Sequence, residues 1–299
     1  MKEVDVEMRR VFSCCLAAVF LLALPAGCVD PSAAQTGAPT PESHAAETNP
    51  AEATPEPTPE PTPEPTPELP PRSTGPSWTV YEFGVPVEES EPVADDGFFD
   101  NAVFLGDSRT EGLELFGGLA HGTFYWARGM SVFRADDEDY KVFSIDGEDL
   151  TLLGALAKQS FDAVYIMIGV NELGYPAESY EAGLAQLVDK VIAVQPEAVV
   201  YLQIMPPLND EMCRANGLAW YINNDNLQQF NEAIRRVAAE KKVALLNTAE
   251  VYTGEDGQLP AELANDGCHF AARAYTPWAD YLRSHTIDRE RYFYSREQA

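Results

Sequence analysis

The amino-acid sequence predicts a three-layer α/β/α sandwich built around a central, mostly parallel sheet. Five short runs of apolar or β-branched residues have the length of strands, and stretches with helical periodicity lie between them. Strands that alternate with helices in this way form a parallel sheet covered by helices on both faces. In such sheets, functional side chains are expected at the carboxyl ends of the strands.

The predicted strands are bounded by Gly, Asp, Pro or Asn, and they comprise residues 101–106, 123–127, 163–168, 199–205 and 243–247. Two helices are predicted from apolar residues that recur on one face. In the first helix, 177–194, these residues are Tyr180, Leu184, Leu187, Val188 and Ile192. In the second helix, 226–241, they are Phe230, Ile234 and Val237.

Composition excludes one class of function. The chain has 299 residues, of which 45% are hydrophobic, so it can bury a core. Its 48 acidic and 20 basic residues give a formal net charge of -28. Because this charge repels phosphate backbones, we expect no nucleic-acid partner. No metal or cofactor is implied either, and the folded domain is expected to be monomeric.

Residues 1–28 have the character of an export signal with a lipid-attachment site. Arg9 and Arg10 precede an apolar run that is short for a transmembrane helix. The sequence Leu-Pro-Ala-Gly-Cys that ends at Cys28 resembles a bacterial lipobox, although its leucine lies one place further from the cysteine than usual. Conventional signal cleavage and a retained anchor are the alternatives. The acidic residues before the arginines suggest that translation starts at Met8.

Residues 29–77 consist mainly of Pro, Glu, Thr, Ala and Ser, with a repeated Thr-Pro-Glu-Pro sequence. Such a segment buries too little apolar surface to offset the entropy of ordering, and its prolines and glutamates favour an extended spacer. The folded domain is therefore expected to span 78–299. It contains Cys213 and Cys268, whose spacing leaves a disulfide and two free thiols equally open.

A serine follows the first predicted strand in the sequence Gly106-Asp107-Ser108-Arg109. This position places a hydroxyl at the edge of the sheet, beside a helix N-terminus that favours developing negative charge. The alternative is structural, because Ser108 and Glu111 also match a capping box in which the serine only caps the helix. The turn alone does not decide between nucleophile and cap.

A serine hydroxyl needs a base that takes its proton, and histidine is suited to this near neutral pH. The chain has four histidines: His44 in the spacer, His121 in a loop, His285 near the last helix, and His269. We expect His269 to be the base, because Asp266 lies three residues earlier in a glycine-containing loop. Asp266 can hold the imidazole in the right tautomer and stabilise its protonated form.

Four short motifs occur in the order found in SGNH/GDSL hydrolases, and the chain resembles that family over most of residues 101–281. The motifs are Gly106-Asp107-Ser108, Gly129, Gly169-Val170-Asn171-Glu172 and Asp266-Gly267-Cys268-His269. Arg109 replaces the usual leucine after the first motif, and Glu172 stands where aspartate is commoner. The resemblance implies an SGNH hydrolase/flavodoxin-like fold and ester hydrolysis through a Ser-His-Asp acyl-enzyme mechanism.

The resemblance implies a role for each motif. Ser108 would be the nucleophile, with His269 as its base and Asp266 as the acid that orients the base. The oxyanion hole would consist of the backbone N–H groups of Ser108 and Gly129 and the side-chain amide of Asn171. A donor of this kind is worth roughly two to three powers of ten in rate.

Three charged residues beside the motifs are candidate substrate-binding residues, namely Arg109, Arg128 and Glu172. Two arginines near the nucleophile and the oxyanion glycine would attract an anionic group of a substrate. The alternative is that both arginines form ion pairs with Glu111, Glu114 or Glu172.

Other residues are candidates for substrate contact. Trp126, Tyr175 and Trp220 are candidates for a rim on which a sugar ring stacks, although aromatic residues near strand ends are more often part of the core. The long segment 208–224 is typical of a loop that covers a substrate.

The extracytoplasmic setting that residues 1–77 predict favours one substrate class. We expect an exported serine esterase, tethered to the bacterial membrane only by its N-terminal anchor, that removes short-chain, chiefly O-acetyl, groups from a carbohydrate or cell-wall polymer. A small ester-bearing molecule is an equally acceptable partner. The alternatives are a lipid or lysophospholipid acylhydrolase, a glycan O-acyltransferase, and a catalytically silent glycan-binding module.

Overall fold

The computed structural model describes residues 79–91 and 93–299, all within one compact unit, Pro71–Ala299. The predicted export signal, Cys28, the spacer and the start of the domain at Trp78 lie outside the described residues and stay predictions. No helix in the described part is both long enough and apolar enough to cross a bilayer.

The described chain alternates between strands and helices. The strands are β1 Ala102–Gly106, β2 Thr123–Trp126, β3 Phe143–Ile145, β4 Glu148–Leu150, β5 Ala163–Met167, β6 Val199–Gln203 and β7 Ala244–Leu246. The α-helices are α1 Ser108–Phe116, α2 Leu152–Leu156, α3 Ala177–Val194, α4 Asp210–Ala215, α5 Asn224–Lys241, α6 Tyr275–Ser284 and α7 Arg289–Gln298. Short 3-10 helices cover Asp96–Phe99, Val170–Glu172, Thr248–Val251 and Ala272–Ala274.

Five strands form one sheet in the order β2-β1-β5-β6-β7, and every neighbouring pair is parallel. Gly106 at the end of β1 lies opposite Trp126 on one side and Met167 on the other. The chain therefore progresses outward from β1 in both directions, and the carboxyl ends of β1 and β5 flank a crevice at this switch point. The predicted three-layer α/β/α fold is confirmed.

The sheet is buried on both faces. Alternate residues of the strands point into two cores: Val103 and Val164 pack with α2, α3 and α5, whereas Phe104 and Tyr165 pack with α1, α6 and α7. Double burial explains why the central strands are continuous apolar runs with no polar alternation.

The predicted elements are confirmed with small shifts. Helix α3 has the predicted bounds, and α5 begins two residues early because the Asn223 side chain caps it by accepting the Asn226 N–H. Strands β3 and β4, which pair in an antiparallel hairpin, were not predicted. The available signal was Asp146-Gly147, whose positive φ angles suit a two-residue hairpin turn.

Two stacked tyrosines, Tyr165 in β5 and Tyr201 in β6, differ in whether the hydroxyl group has a hydrogen-bond partner. The ring centres of Tyr165 and Tyr201 are 4.5 Å apart. The Tyr201 hydroxyl accepts the Ile287 N–H at 3.1 Å, whereas the buried Tyr165 hydroxyl has no hydrogen-bond partner in the described chain.

We expect Tyr165→Phe to leave the free energy of unfolding unchanged or to raise it by up to about 1 kcal/mol, because it removes an unsatisfied hydroxyl. Tyr201→Phe is the matched control, and it should lower the free energy by about 1 to 2 kcal/mol because a buried N–H loses its acceptor. Urea unfolding measures both. Equal destabilisation by the two substitutions would contradict this reading.

Candidate active site

Ser108 is the first residue of α1, directly after the turn that ends β1. The turn requires Gly106, since a Cβ atom there would lie 1.7 Å from Thr110 Oγ1. Asp107 is the N-cap of the helix, and its Oδ1 accepts the Arg109 N–H at 2.9 Å. The capping-box alternative for Ser108 is therefore wrong, and its half-buried hydroxyl has a different partner.

That partner is His269, which lies 161 residues further along the chain. Ser108 Oγ is 2.9 Å from His269 Nε2, and His269 Nδ1 is 2.8 Å from Asp266 Oδ2. The other carboxylate oxygen accepts the backbone N–H groups of Cys268 at 2.9 Å and of His269 at 2.7 Å. A hydroxyl, an imidazole and a carboxylate thus form one continuous chain.

The Asp266 carboxylate stays ionised in this chain. Partial burial by itself would raise its pKa, but the hydrogen bond and charge of His269, together with the two backbone N–H groups, lower the pKa to about 2. An ionised carboxylate beside Nδ1 holds a proton on that nitrogen and leaves Nε2 as an acceptor for the hydroxyl proton. The arrangement can therefore activate a hydroxyl nucleophile.

The other described histidines also lie near carboxylates, which sequence positions did not predict. His121 pairs with Asp100, and His285 Nε2 lies 3.7 Å from Glu250. Among the three histidines of the described chain, His269 is the one that contacts the serine at the end of β1.

The Asn171 side chain connects the loops that carry the other two candidate oxyanion donors, Ser108 and Gly129. Asn171 Nδ2 donates to Met130 O at 3.0 Å and lies 3.4 Å from Asp107 Oδ2. Met130 follows Gly129 in the chain, and Asp107 precedes Ser108. In the described chain, the backbone N–H groups of Ser108 and Gly129 have no acceptor. The Asn171 amide already has two acceptors, and an oxyanion would have to share it.

Gly129 is held by a turn, which the N–H of Met130 closes on Ala127 O at 2.9 Å. Its φ of +75° is a conformation that glycine adopts at little cost. A Cβ atom at this position would meet no atom within 4 Å. Within the described protein, the requirement for glycine at this position is therefore conformational.

Arg109 is not a substrate-binding residue, and this corrects the expectation from sequence. It is 1% exposed, and its Nε and Nη2 donate to Cys268 O at 3.1 and 2.9 Å. Nη1 donates to Pro206 O at 3.3 Å, and the guanidinium lies 5.1 Å from the centre of the Phe270 ring. Within the described chain, none of these contacts is with the glutamates considered above. Arg109 instead holds the carbonyl that precedes His269.

Arg128 is held in an ion pair, and Glu172 is too deeply buried to bind a substrate. Arg128 forms the ion pair that was its alternative, with Nε and Nη2 each 2.7 Å from the Glu111 carboxylate. Its side chain is nevertheless 73% exposed. Glu172 is 0% exposed and cannot contact a substrate, which is a second correction. Its Oε1 accepts the Val132 N–H at 2.6 Å.

The segment 208–224 lies at the carboxyl edge of the sheet, as a substrate-covering loop would. Asn216 Nδ2 is 3.4 Å from Asp266 O, which belongs to the histidine loop. At its other end the ring of Tyr221 packs on Gly174, where a Cβ atom would lie 3.1 Å from the ring. The segment therefore spans from the histidine loop to the loop after β5.

The three aromatic rim candidates have different environments. Trp126 donates its indole N–H to Glu114, and Tyr175 packs against Phe133 with ring centres 5.3 Å apart. Trp220 is 85% exposed. Of the three, Trp220 is the one that presents an open ring to solvent at this edge.

The two cysteines are free thiols, and both are buried. Burial raises the pKa of Cys213 to about 12 and that of Cys268 to about 11, so neither is a thiolate near neutral pH. Among the described residues, no group of three His, Cys, Asp or Glu side chains is placed to hold a metal ion.

We expect Arg109→Lys to lower the free energy of unfolding by about 2 kcal/mol, because lysine cannot donate to the Cys268 oxygen from two nitrogens while also reaching the Pro206 oxygen. Arg128→Lys, a control at an exposed ion pair, should change it by less than about 1 kcal/mol. Thermal and urea unfolding measure both. If Arg109→Lys unfolds like the unsubstituted protein and raises only KM for an anionic ester, Arg109 binds substrate after all.

Comparison with known proteins identifies a family that this chain matches. Residues 104–276 match the model of the GDSL-like lipase/acylhydrolase family. No curated protein matches the chain.

Several solved structures are similar to this chain at low sequence identity. One is a protein from Streptococcus pneumonia whose description refers to platelet activating factor, at 22% identity and a TM-score of 0.47, covering 61% of this chain and 81% of that one. A GDSL-like lipase from Bacteroides thetaiotaomicron has 17% identity and a TM-score of 0.45, covering 64% and 89%. An alpha/beta hydrolase enzyme from the metagenome of Lake Arreo, Spain, has 17% identity and a TM-score of 0.42, covering 60% and 92%.

The family match contains the strand–serine turn, the Gly129 turn, the Asn171 loop and the histidine loop, and it spans more than half of the chain. This protein therefore belongs to the GDSL-like lipase/acylhydrolase family and is a serine ester hydrolase with an α/β SGNH-type fold.

Proposed function

We propose that the protein hydrolyses esters through an acyl-enzyme on Ser108. His269 Nε2 takes the hydroxyl proton as Oγ attacks the ester carbonyl carbon, and it gives that proton to the alcohol oxygen as the ester bond breaks. Water, activated by the same nitrogen, then attacks the acyl group and releases the acid and free Ser108. Asp266 stabilises the imidazolium in both steps. The observation that carries this proposal is the chain of 2.9 and 2.8 Å contacts from Ser108 to Asp266.

In this proposal the N–H groups of Ser108 and Gly129 and the amide of Asn171 stabilise the negative charge on the substrate oxygen. The two backbone donors have no other acceptor in the described chain, which supports their availability. The positive end of helix α1 adds to the same potential.

We further propose that the substrate is a short-chain ester, chiefly O-acetyl, on a carbohydrate or cell-wall polymer. The exposed indole of Trp220 supports this choice, because the apolar C–H face of a sugar ring can pack on an aromatic face. The loop that carries it is held in place: Asn223 Nδ2 donates to Trp220 O, and Asn226 Nδ2 to Tyr221 O, each at 3.0 Å.

The proposed location is the outer surface of a bacterial membrane. An export signal, lipid attachment at Cys28 and the spacer 29–77 would hold a monomeric domain at a distance from the lipid, where polymeric substrates are accessible. The lipid anchor would be its one membrane contact. These features rest on the sequence, since they lie outside the described residues.

The test of this function uses the full chain and its Ser108→Ala variant. We expect acetate release from acetylated xylan or acetylated peptidoglycan, and cleavage of p-nitrophenyl acetate in preference to longer esters. Ser108→Ala should lose activity by at least about a thousandfold, because no other group replaces the nucleophile.

Each alternative has its own outcome in the same experiment. Preference for p-nitrophenyl laurate and lysophospholipid would identify a lipid acylhydrolase. Transfer of the acetyl group to an added sugar, at the expense of free acetate, would identify an acyltransferase. Glycan binding without turnover of any ester would show a silent binding module and overturn the proposal.

We expect Trp220→Ala to raise KM for acetylated xylan by about 3- to 10-fold, the size of one aromatic contact, and to leave kcat/KM for p-nitrophenyl acetate unchanged. Trp126→Phe is the control, since that indole is bonded to Glu114 and should not affect either value. A polymer KM that is the same in Trp220→Ala would show that sugar rings do not stack there.

A further inference from the structure

The loop that carries Gly129 is held from one side by two consecutive residues. Asn171 Nδ2 donates to Met130 O at 3.0 Å, and Glu172 Oε1 accepts the Val132 N–H at 2.6 Å. Both belong to the 3-10 turn after β5. Without the Glu172 carboxyl group, the buried Val132 N–H would have no acceptor in the described chain.

We propose that Glu172 is a positioning residue whose carboxyl group fixes the Gly129 turn so that its N–H points at the substrate oxygen. This rests on the oxyanion role proposed for Gly129. Glu172 does not touch substrate, since it is 0% exposed, and it acts through the loop that it holds.

The environment of the carboxyl group decides its protonation state. Its Oε2 is buried and has no hydrogen-bond partner among the described residues. The groups that face it are the Asp107 carboxyl after β1, the Tyr180 hydroxyl on α3 and the Ser131 hydroxyl of the held loop. Burial is the main cause that raises the pKa of Glu172; the Val132 N–H lowers it, the charge of Asp107 raises it and the Ser131 hydroxyl lowers it. The net pKa is about 8.

The raised pKa favours the neutral form of the Glu172 carboxyl group near pH 7 and its ionisation at alkaline pH. A buried negative charge on the side chain that accepts the Val132 N–H opposes the charge that develops on the substrate oxygen, so the transition state is less stabilised in the ionised form. The kcat/KM of the unsubstituted protein should consequently fall at alkaline pH.

The test compares pH profiles of kcat/KM for p-nitrophenyl acetate in the full chain and its Glu172→Gln variant. Glutamine has the shape of the neutral acid and keeps the acceptor for Val132. We expect kcat/KM of the unsubstituted protein to fall by at least about threefold between pH 7.5 and 9.5. Glu172→Gln should retain activity at pH 7 and lose this fall.

Two further variants complete the design. Glu172→Ala removes the acceptor and should lower kcat by about tenfold or more at every pH, with little change in KM. Glu181→Gln changes a surface carboxylate on α3 that pairs with Arg236, and its pH profile should match that of the unsubstituted protein.

A second readout does not depend on activity. A carboxyl group with a raised pKa stabilises the fold fully below its unfolded value of 4.5, and this stabilisation is lost as pH rises to about 8. The unfolding free energy of the unsubstituted protein should therefore fall relative to Glu172→Gln across this range. An alkaline fall of activity that persists in Glu172→Gln, or a stability difference independent of pH, overturns the inference. Hydrolysis that survives Ser108→Ala would instead overturn the proposed function and leave the stability result standing.

Discussion

A buried guanidinium connects the two halves of the candidate site. Ser108 and its base come from segments 161 residues apart, and the histidine loop has no regular secondary structure of its own. Arg109, next to Ser108 in the chain, donates twice to the carbonyl that immediately precedes His269. The side chain that follows the nucleophile therefore sets the position of the base, and the 2.9 Å contact between Ser108 and His269 depends on it. The strength of these bonds comes from burial, because a charged donor in a low-dielectric interior loses little to competing water.

Three carboxyl groups around this link differ in what surrounds them. Asp266 accepts hydrogen bonds from His269 and from two backbone N–H groups, so its pKa is low. Asp107 is fully buried, and this burial raises its pKa in spite of the Arg109 N–H and charge. Glu172 is also buried and has one unpartnered oxygen, and burial raises its pKa to about 8. Hydrogen-bond donors therefore favour the ionised form of Asp266, whereas desolvation favours the neutral form of Glu172.

The parts of the site that sequence motifs predicted are those whose chemistry needs one residue type. A serine after β1, a histidine with an aspartate three residues earlier, and an asparagine after β5 have few substitutes in ester hydrolysis, and their order along the chain carried the resemblance. The interpretation of Arg109, Arg128 and Glu172 was less successful. From sequence alone, an arginine next to a nucleophile can equally be a substrate ligand, an ion-pair partner or a hydrogen-bond donor to the backbone. What decides between these roles is the backbone carbonyl of Cys268, 159 residues away in the chain. Every residue has a backbone carbonyl, so the sequence does not indicate which one an arginine contacts.

The sequence by itself determined the fold class, the five strands of the sheet, helix α3 and the order of the motifs, because double burial and helical periodicity are written into the pattern of apolar residues. It also determined that each motif lies after a strand or in a loop before a helix. Only the tertiary structure decided that Asp107 rather than Ser108 caps α1, that Cys213 and Cys268 are free, and that Arg109 and Glu172 are buried. Those outcomes depend on which surfaces meet when distant segments pack, and burial of a polar side chain is a property of its neighbours rather than of the residue.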